Sequence, residues 1–159
     1  STSAFLEAGD TLLVPTRSGP HCAFVLSDHD SEGIALAVTL CSVRDTNGKM
    51  VLYYDPTRVI LPTDHPFVKH SSFLLYARLI RIDCSNTGSI EIDGRVVRKE
   101  KMNDYLLRTV QSGLFLSSRT QLKDKEYLAS QIVCFKCNSG SKYIDCCGSQ
   151  YRLTSSLSE

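Results

Sequence analysis

The chain has no tryptophan, two methionines, five prolines and nine glycines among its 159 residues. Proline and glycine at that level exclude a collagen-like or linker-dominated chain, and no repeat or low-complexity stretch appears. An excess of one charge is also missing. Eighteen Lys and Arg face 17 Asp and Glu, a formal net charge of +1, which excludes a global attraction to nucleic acid and leaves room only for local patches. No run approaches the roughly 18 apolar residues that a membrane span needs, so no membrane contact is expected. The opening Ser1-Thr2-Ser3 lacks a basic-then-apolar leader pattern. Hydrophobic residues at 42% and charged residues at 22% are ordinary for a globular chain able to bury a core.

What the chain does have is cysteine. Cys22, Cys41 and Cys84 are scattered, whereas Cys134-Phe-Lys-Cys137, eight intervening residues and Cys146-Cys147-Gly148 crowd four thiols into 14 positions. An odd total argues against a secreted disulfide scaffold and points to a cytoplasmic setting. Asn138 to Tyr143 is too small and polar to order itself by packing, and four thiolates around Zn2+ would order it. Reduced thiols or two disulfides are the alternatives. All four cysteines are used as ligands in this reading, so the ion is structural and has no open position for a catalytic water.

Short strands fill the first hundred residues. Thr11–Pro15, Cys22–Ser27 and the long apolar run from Ile34 to Ser42 read as strands. Asp45-Thr46-Asn47-Gly48 signals a hairpin leading into a strand over Met50–Tyr54. Pro56, Pro62 and Pro66 exclude a helix. Phe73 to Ile82 reads as a second long strand, and residues 89–94 as a short hairpin. The period then changes: Met102, Tyr105, Leu106, Val110 and Leu114 predict a helix over about 100–112, ended by Gly113. Leu122, Tyr127, Leu128 and Ile132 predict a second, shorter helix. The fold class is therefore mainly β with C-terminal helices. Residues 1–98 form a small barrel, 99–132 a helical segment packed on it, 133–153 a zinc knuckle and 154–159 a disordered tail.

The cysteine segment resembles a SEC-C motif, keeping Ser139, Gly140, Lys142, Tyr143, Cys146 and Cys147 with the eight-residue gap. It departs by one residue inserted between the first two cysteines and by Asn138 in place of the first glycine. The resemblance implies zinc on Cys134, Cys137, Cys146 and Cys147, and a tail used for docking to a protein partner.

In the front half, Gly9-Asp10-Thr-Leu-Leu-Val-Pro15, Gly19-Pro20, Ala23-Phe-Val-Leu-Ser27 and the strand ending Thr39-Leu-Cys-Ser42 resemble, in that order, a PemK/MazF-like toxin domain. The block from Thr63-Asp-His-Pro-Phe to Tyr76 resembles a signature of relatives of these toxins. This resemblance implies an SH3-like barrel, metal-independent endoribonuclease action on single-stranded RNA, and homodimers formed through a sheet face. The apolar run Ile34–Leu40 suits a dimer face, and burial within one chain explains it equally.

Metal-free RNA cleavage needs a base, an acid and a cation for the crowded phosphorane. By position Arg17 matches the toxin loop arginine, and Thr39 or Ser42 the strand-end hydroxyl. His21 stands where the toxins carry Arg before the Val-Leu-Ser strand, and histidine exchanges protons near neutral pH. His65 and His70 complete the candidate catalytic set. A backbone hydrogen bond in the turn before Pro66 explains His65 as well, and strand capping with Ser71 and Ser72 explains His70. Cys22 beside His21 is a poor nucleophile–base pair, because neighbouring strand residues face opposite ways. The basic run Arg95, Arg98, Lys99 and Lys101 is either a solvated face or a phosphate contact. Phe135 and Tyr143 either stack on bases or cover the metal. A barrel that has lost its chemistry and binds a protein is the competing function.

Overall fold

The computed structural model describes residues 5–17, 19–84 and 96–152. Seven strands are present: β1 (Thr11–Thr16), β2 (Gly19–Val25), β3 (Ile34–Ser42), β4 (Val59–Ile60), β5 (Ser72–Leu74), β6 (Ile80–Asp83) and β7 (Val97–Lys99). They make one antiparallel sheet in the order β4-β5-β3-β2-β1-β7, with β6 also paired to β3. Two helices follow, α1 (Asp104–Leu116) and α2 (Leu122–Gln131), then short 3-10 turns at Tyr143–Asp145 and Ser149–Arg152. The class is thus mixed α/β.

The expected barrel is corrected. Among the described residues, β4 and β7 end the sheet without pairing to each other, so it stays open. Closure needs long, staggered edge strands. Here β4 has two residues between Pro56 and Pro62, and β7 has three. The expected strand over Met50–Tyr54 is also absent: Gly48 takes a φ of +77°, Arg44 and Met50 make an isolated bridge, and residues 52–53 turn away. The expected hairpin at 89–94 and the tail beyond residue 153 lie outside the described residues.

β3 explains why its sequence is apolar without alternation. Leu36, Val38 and Leu40 join the main core with Phe24, Leu106, Val110 and Leu114, while Ala35 and Ala37 join a second cluster with Leu6, Leu12 and Val25. A strand covered on both faces has no polar side. Its run is covered within the chain, since Ala35 to Val38 have no exposed surface.

The expected long strand over 73–82 is broken, and the break matters. Leu40 pairs with Leu74 and Ala37 with Ile80, so β3 advances three residues while the opposing segment advances six. The surplus is a bulge over residues 75–79, which re-aims side chains as bulges do. Tyr76 turns inward, fully buried, and its hydroxyl donates to the Val110 carbonyl of α1 at 2.7 Å. Burial pushes that phenol up.

α1 begins at Asn103, whose Oδ1 accepts from the Leu106 amide at 2.8 Å, a cap worth about 1 kcal/mol. It does not stop at Gly113 but runs on to Leu116. Gly113 serves packing instead: a Cβ there would overlap the Tyr76 hydroxyl and lie 2.6 Å from Arg58 Cγ. Small size, not chain termination, is what the helix needs at this point. No helix among the described residues is long and apolar enough to cross a membrane.

Candidate functional site

Two sites emerge, one local in sequence and one assembled across the sheet. The local one is the cysteine cluster. Cys134, Cys137, Cys146 and Cys147 bring all four Sγ atoms within 4.8 Å of one another. Cys137 Sγ lies 3.5 Å from that of Cys134 and 3.6 Å from that of Cys146. A tetrahedron with metal–sulfur bonds of about 2.3 Å has edges of roughly 3.8 Å, so the donor set fits a metal ion. The knuckle is held by a bridge between Val133 and Lys142 and by the Cys134 amide donating to Ser141 at 2.8 Å. Asn138 has a φ of +54°, the left-handed region that asparagine tolerates better than most side chains. Its substitution for glycine therefore keeps the turn.

The thiols are electrostatically unequal. The Ser139 hydroxyl, 3.1 Å from Cys137 Sγ, and the Ser139 amide pull Cys137 down to about 6. A hydrogen bond to Cys134, with burial, holds Cys147 up at about 12. Burial would raise Cys134, but backbone hydrogen bonds from Lys136 and Cys137 outweigh it and lower that thiol as well, whereas burial raises Cys146. Two thiols favour the thiolate and two resist it, a conflict that a bound cation removes.

Aromatic rings pack beside the cluster. Tyr143 is 2% exposed and stacks on Phe135 with ring centres 5.5 Å apart, and Phe115 of α1 lies 4.8 Å from it on centres. Gly148 exists for that ring, since a Cβ there would come within 2.5 Å of Tyr143 Cε2. Cys134, Tyr143 and Ile144 belong to the same buried cluster as Phe24 and Leu36. The tail is bound into the core of the sheet and helices.

The second site is a cleft of about 540 Å³ lined by His21, Thr39, Cys41, Tyr53, Leu75, Ala77 and Arg78. Thr39 and Cys41 share the face of β3 that Ala35 and Ala37 occupy, away from the helices. The bulge supplies Leu75, Ala77 and Arg78, and the Leu75 amide donates to the Thr39 carbonyl at 3.0 Å. His21 Nδ1 donates to the Leu40 carbonyl at 3.3 Å, leaving Nε2 as the basic nitrogen of the neutral ring. Burial raises the Cys41 thiol, so it is a protonated wall and not a nucleophile.

The structure brings His21 and Thr39 together. Ser42 and His70 line a separate cleft of about 240 Å³ that His21 also borders, and Ser42 lies on the face of β3 opposite to Thr39. Arg17 is exposed at the β1–β2 turn and does not line the cleft that His21 and Thr39 share. His65 is 2% exposed and held on both nitrogens: Nδ1 accepts from the Phe67 amide at 3.0 Å, and Nε2 donates to the Glu100 carbonyl at 2.7 Å. It ties the Pro66 turn to the segment before α1. Of the basic run, Arg95 lies outside the described residues and the rest is engaged internally: Arg98 lies 3.7 Å from the buried Asp10, Lys101 pairs with Glu7 at 2.8 Å and Asp10 at 3.4 Å, and Lys99 sits over Phe67.

Sequence reasoning missed Arg78 and Tyr53. A signal existed for Arg78: Phe73 to Ala77 is continuously apolar, whereas Ile80-Arg81-Ile82-Asp83 alternates, and the change of pattern marks the bulge. Neither a family model nor a curated protein matches the chain.

Proposed function

We propose that the His21 cleft binds single-stranded RNA and cleaves it without a metal, and that the cysteine tail carries a structural Zn2+. The front sheet is then an opened relative of the PemK/MazF-like barrel, and the tail a SEC-C-like knuckle. One observation carries the reading: an imidazole, a hydroxyl and a guanidinium, from His21, Thr39 and Arg78, line one open cleft.

In the reaction, His21 Nε2 takes the proton of the ribose 2′-hydroxyl as the 2′-oxygen attacks phosphorus. Arg78 and the Thr39 hydroxyl stabilise the charge that builds on the phosphorane oxygens. The bond from phosphorus to the 5′-oxygen breaks, that oxygen takes a proton from the imidazolium or water, and a 2′,3′-cyclic phosphate remains. Arg78 thus takes the role that position alone assigned to Arg17. Zinc in the tail contributes order: Cys134, Cys137, Cys146 and Cys147 fill its four positions, and Tyr143 and Phe135 pack beside it.

Purified protein in a chelator of free divalent ions should cut unstructured RNA at some pH between 5 and 8, and Arg78→Ala should lower the rate by about 10² or more. RNA left intact throughout that range removes the enzymatic reading. The second reading, a protein-binding module, is favoured by one feature: Met50, Leu52 and Tyr53, beside the cleft in sequence, are all more than half exposed. It predicts a partner whose binding is lost in Leu52→Asp and unchanged in His21→Ala.

A further inference from the structure

The lining of the His21 cleft has two chemistries. His21, Thr39 and Arg78 present an imidazole, a hydroxyl and a guanidinium, while the Tyr53 ring, Leu75 and Ala77 present carbon. A bare phosphate uses only the first set, and against the second it loses water with nothing in return. A nucleotide answers both, because its base is a flat, largely apolar surface one sugar away from its phosphate. The volume of about 540 Å³ lies within the ~300–1,000 Å³ of ordinary ligand sites.

Tyr53 is the aromatic member of that wall, and it is held from behind. It sits in a turn closed by the Tyr54 amide donating to the Val51 carbonyl at 3.2 Å. Arg119 Nη1 donates to the Tyr53 carbonyl at 3.0 Å and also reaches that of Tyr54. The clamp is itself fixed: the buried Ser117 hydroxyl accepts from the Arg119 amide at 3.2 Å and donates to Asp55 at 2.6 Å. The Tyr53 ring meets the buried Phe73 with 5.7 Å between centres and 61° between planes. Phe73 pairs with Cys41, so it shares with Thr39 and Cys41 the face of the sheet on which the cleft opens. Yet Tyr53 remains 55% exposed, and its hydroxyl makes no hydrogen bond among the described residues. A ring anchored in this way offers a π surface to a ligand, and its hydroxyl has no part in holding it.

We infer that Tyr53 is the stacking platform for the nucleobase next to the phosphate held by His21, Thr39 and Arg78, so that the cleft takes a nucleotide unit of a single strand. The inference rests on the proposed RNA reading. It adds a physical reason for the single strand, since the paired bases of a duplex are stacked on their neighbours and cannot reach the ring. Every base has a π face, so this contact orders the strand without reading its sequence.

The test uses the full chain and 2′-O-methyl adenosine hexamers, which cannot be cut because the attacking 2′-oxygen is blocked. One hexamer carries every base, and in the others one position at a time is abasic. The chain has no tryptophan, so Tyr53→Trp places a single indole at the cleft. The intact hexamer should quench its emission, and inorganic phosphate should not. Tyr53→Ala should weaken hexamer binding about tenfold or more with an unchanged salt slope, because no charge is lost. Tyr53→Phe should bind within about twofold of the wild type, since the ring is kept. One abasic position should cost the wild type about tenfold and cost Tyr53→Ala less than about twofold, the partner of that base being already gone. If the wild type binds the hexamer and Tyr53→Ala binds it as tightly, or if no abasic position weakens the wild type, the platform is refuted while the RNA reading stands. The second of these outcomes does not depend on how any variant folds. If Tyr53→Phe is as poor as Tyr53→Ala, the contact runs through the hydroxyl and the inference is overturned. If the wild type binds no hexamer, both fall and Tyr53 is left to the protein-binding reading.

Discussion

The cysteine tail and the His21 cleft are built on opposite plans. The tail takes all four donors from 14 consecutive residues, and its geometry follows from their spacing, one left-handed residue at Asn138 and a glycine that admits the Tyr143 ring. The cleft draws on β2, β3, the segment around Tyr53 and the bulge after β5. Its geometry depends on Tyr76 being anchored on α1, two residues from Arg78. A site of the first kind can be read along the chain. One of the second kind exists only when the whole fold does.

The largest expected effect concerns the tail. Cys146→Ser removes one donor and leaves the rest of an unsatisfied cluster inside a stack joined to the main core. We expect metal content to fall well below one ion per chain and the midpoint of thermal unfolding to drop by about 10 °C or more, measured by metal analysis and calorimetry. A variant that lost metal and kept its midpoint would show that the tail is a detachable accessory.

A smaller effect tests whether the cleft depends on a remote anchor. Gly113→Ala adds a methyl group where Tyr76 and Arg58 already sit. Overpacking of this kind costs about 1–3 kcal/mol, more than the helix propensity gained. The same change should weaken binding at Arg78 while metal content stays at one ion. Unchanged stability would mean that Tyr76 and Arg58 shift freely, and the bulge would not be pinned as described.

The smallest effect is a pH dependence outside both sites. Burial alone would raise Asp55, but the Ser117 and Thr57 hydroxyls, at 2.6 Å each, and the Thr57 amide outweigh it and hold the carboxyl below its usual value. A lowered folded value gives stability that is present above the unfolded pKa of about 3.9 and is lost as pH falls through the folded one. Acid titration of unfolding should show a step of about 1 kcal/mol that Asp55→Asn abolishes. The cysteine cluster and the cleft should be unaffected at neutral pH.

Much of the tail was legible because cysteine spacing and turn chemistry are local. Asn138 has a local reason too, its left-handed φ. The helices were legible from their period, yet Gly113 was misread: a glycine near a helix end signals a cap, while its use here depends on Tyr76 some 37 positions earlier in the sequence. The barrel failed as an expectation because closure depends on edge strands, and the prolines that cut β4 to two residues were noted only as excluding a helix. Among the histidines, His21 reaches the cleft while His65 is locked in the core. Motif position drew attention to His21, and the Pro66 turn offered His65 a backbone role, but which imidazole is buried is a property of packing. Arg78 was hidden inside what reads as one strand.

The division of labour between tail and cleft is the central claim, and one paired measurement on His21→Ala tests it directly: metal content, and the rate at which single-stranded RNA is cut in a chelator of free ions. The account predicts about one ion per chain, an unchanged unfolding midpoint, and a cleavage rate reduced by about 10² or more relative to wild type. Cleavage that survives in His21→Ala and instead disappears with the metal in Cys146→Ser would contradict it, and would move the chemistry to the tail.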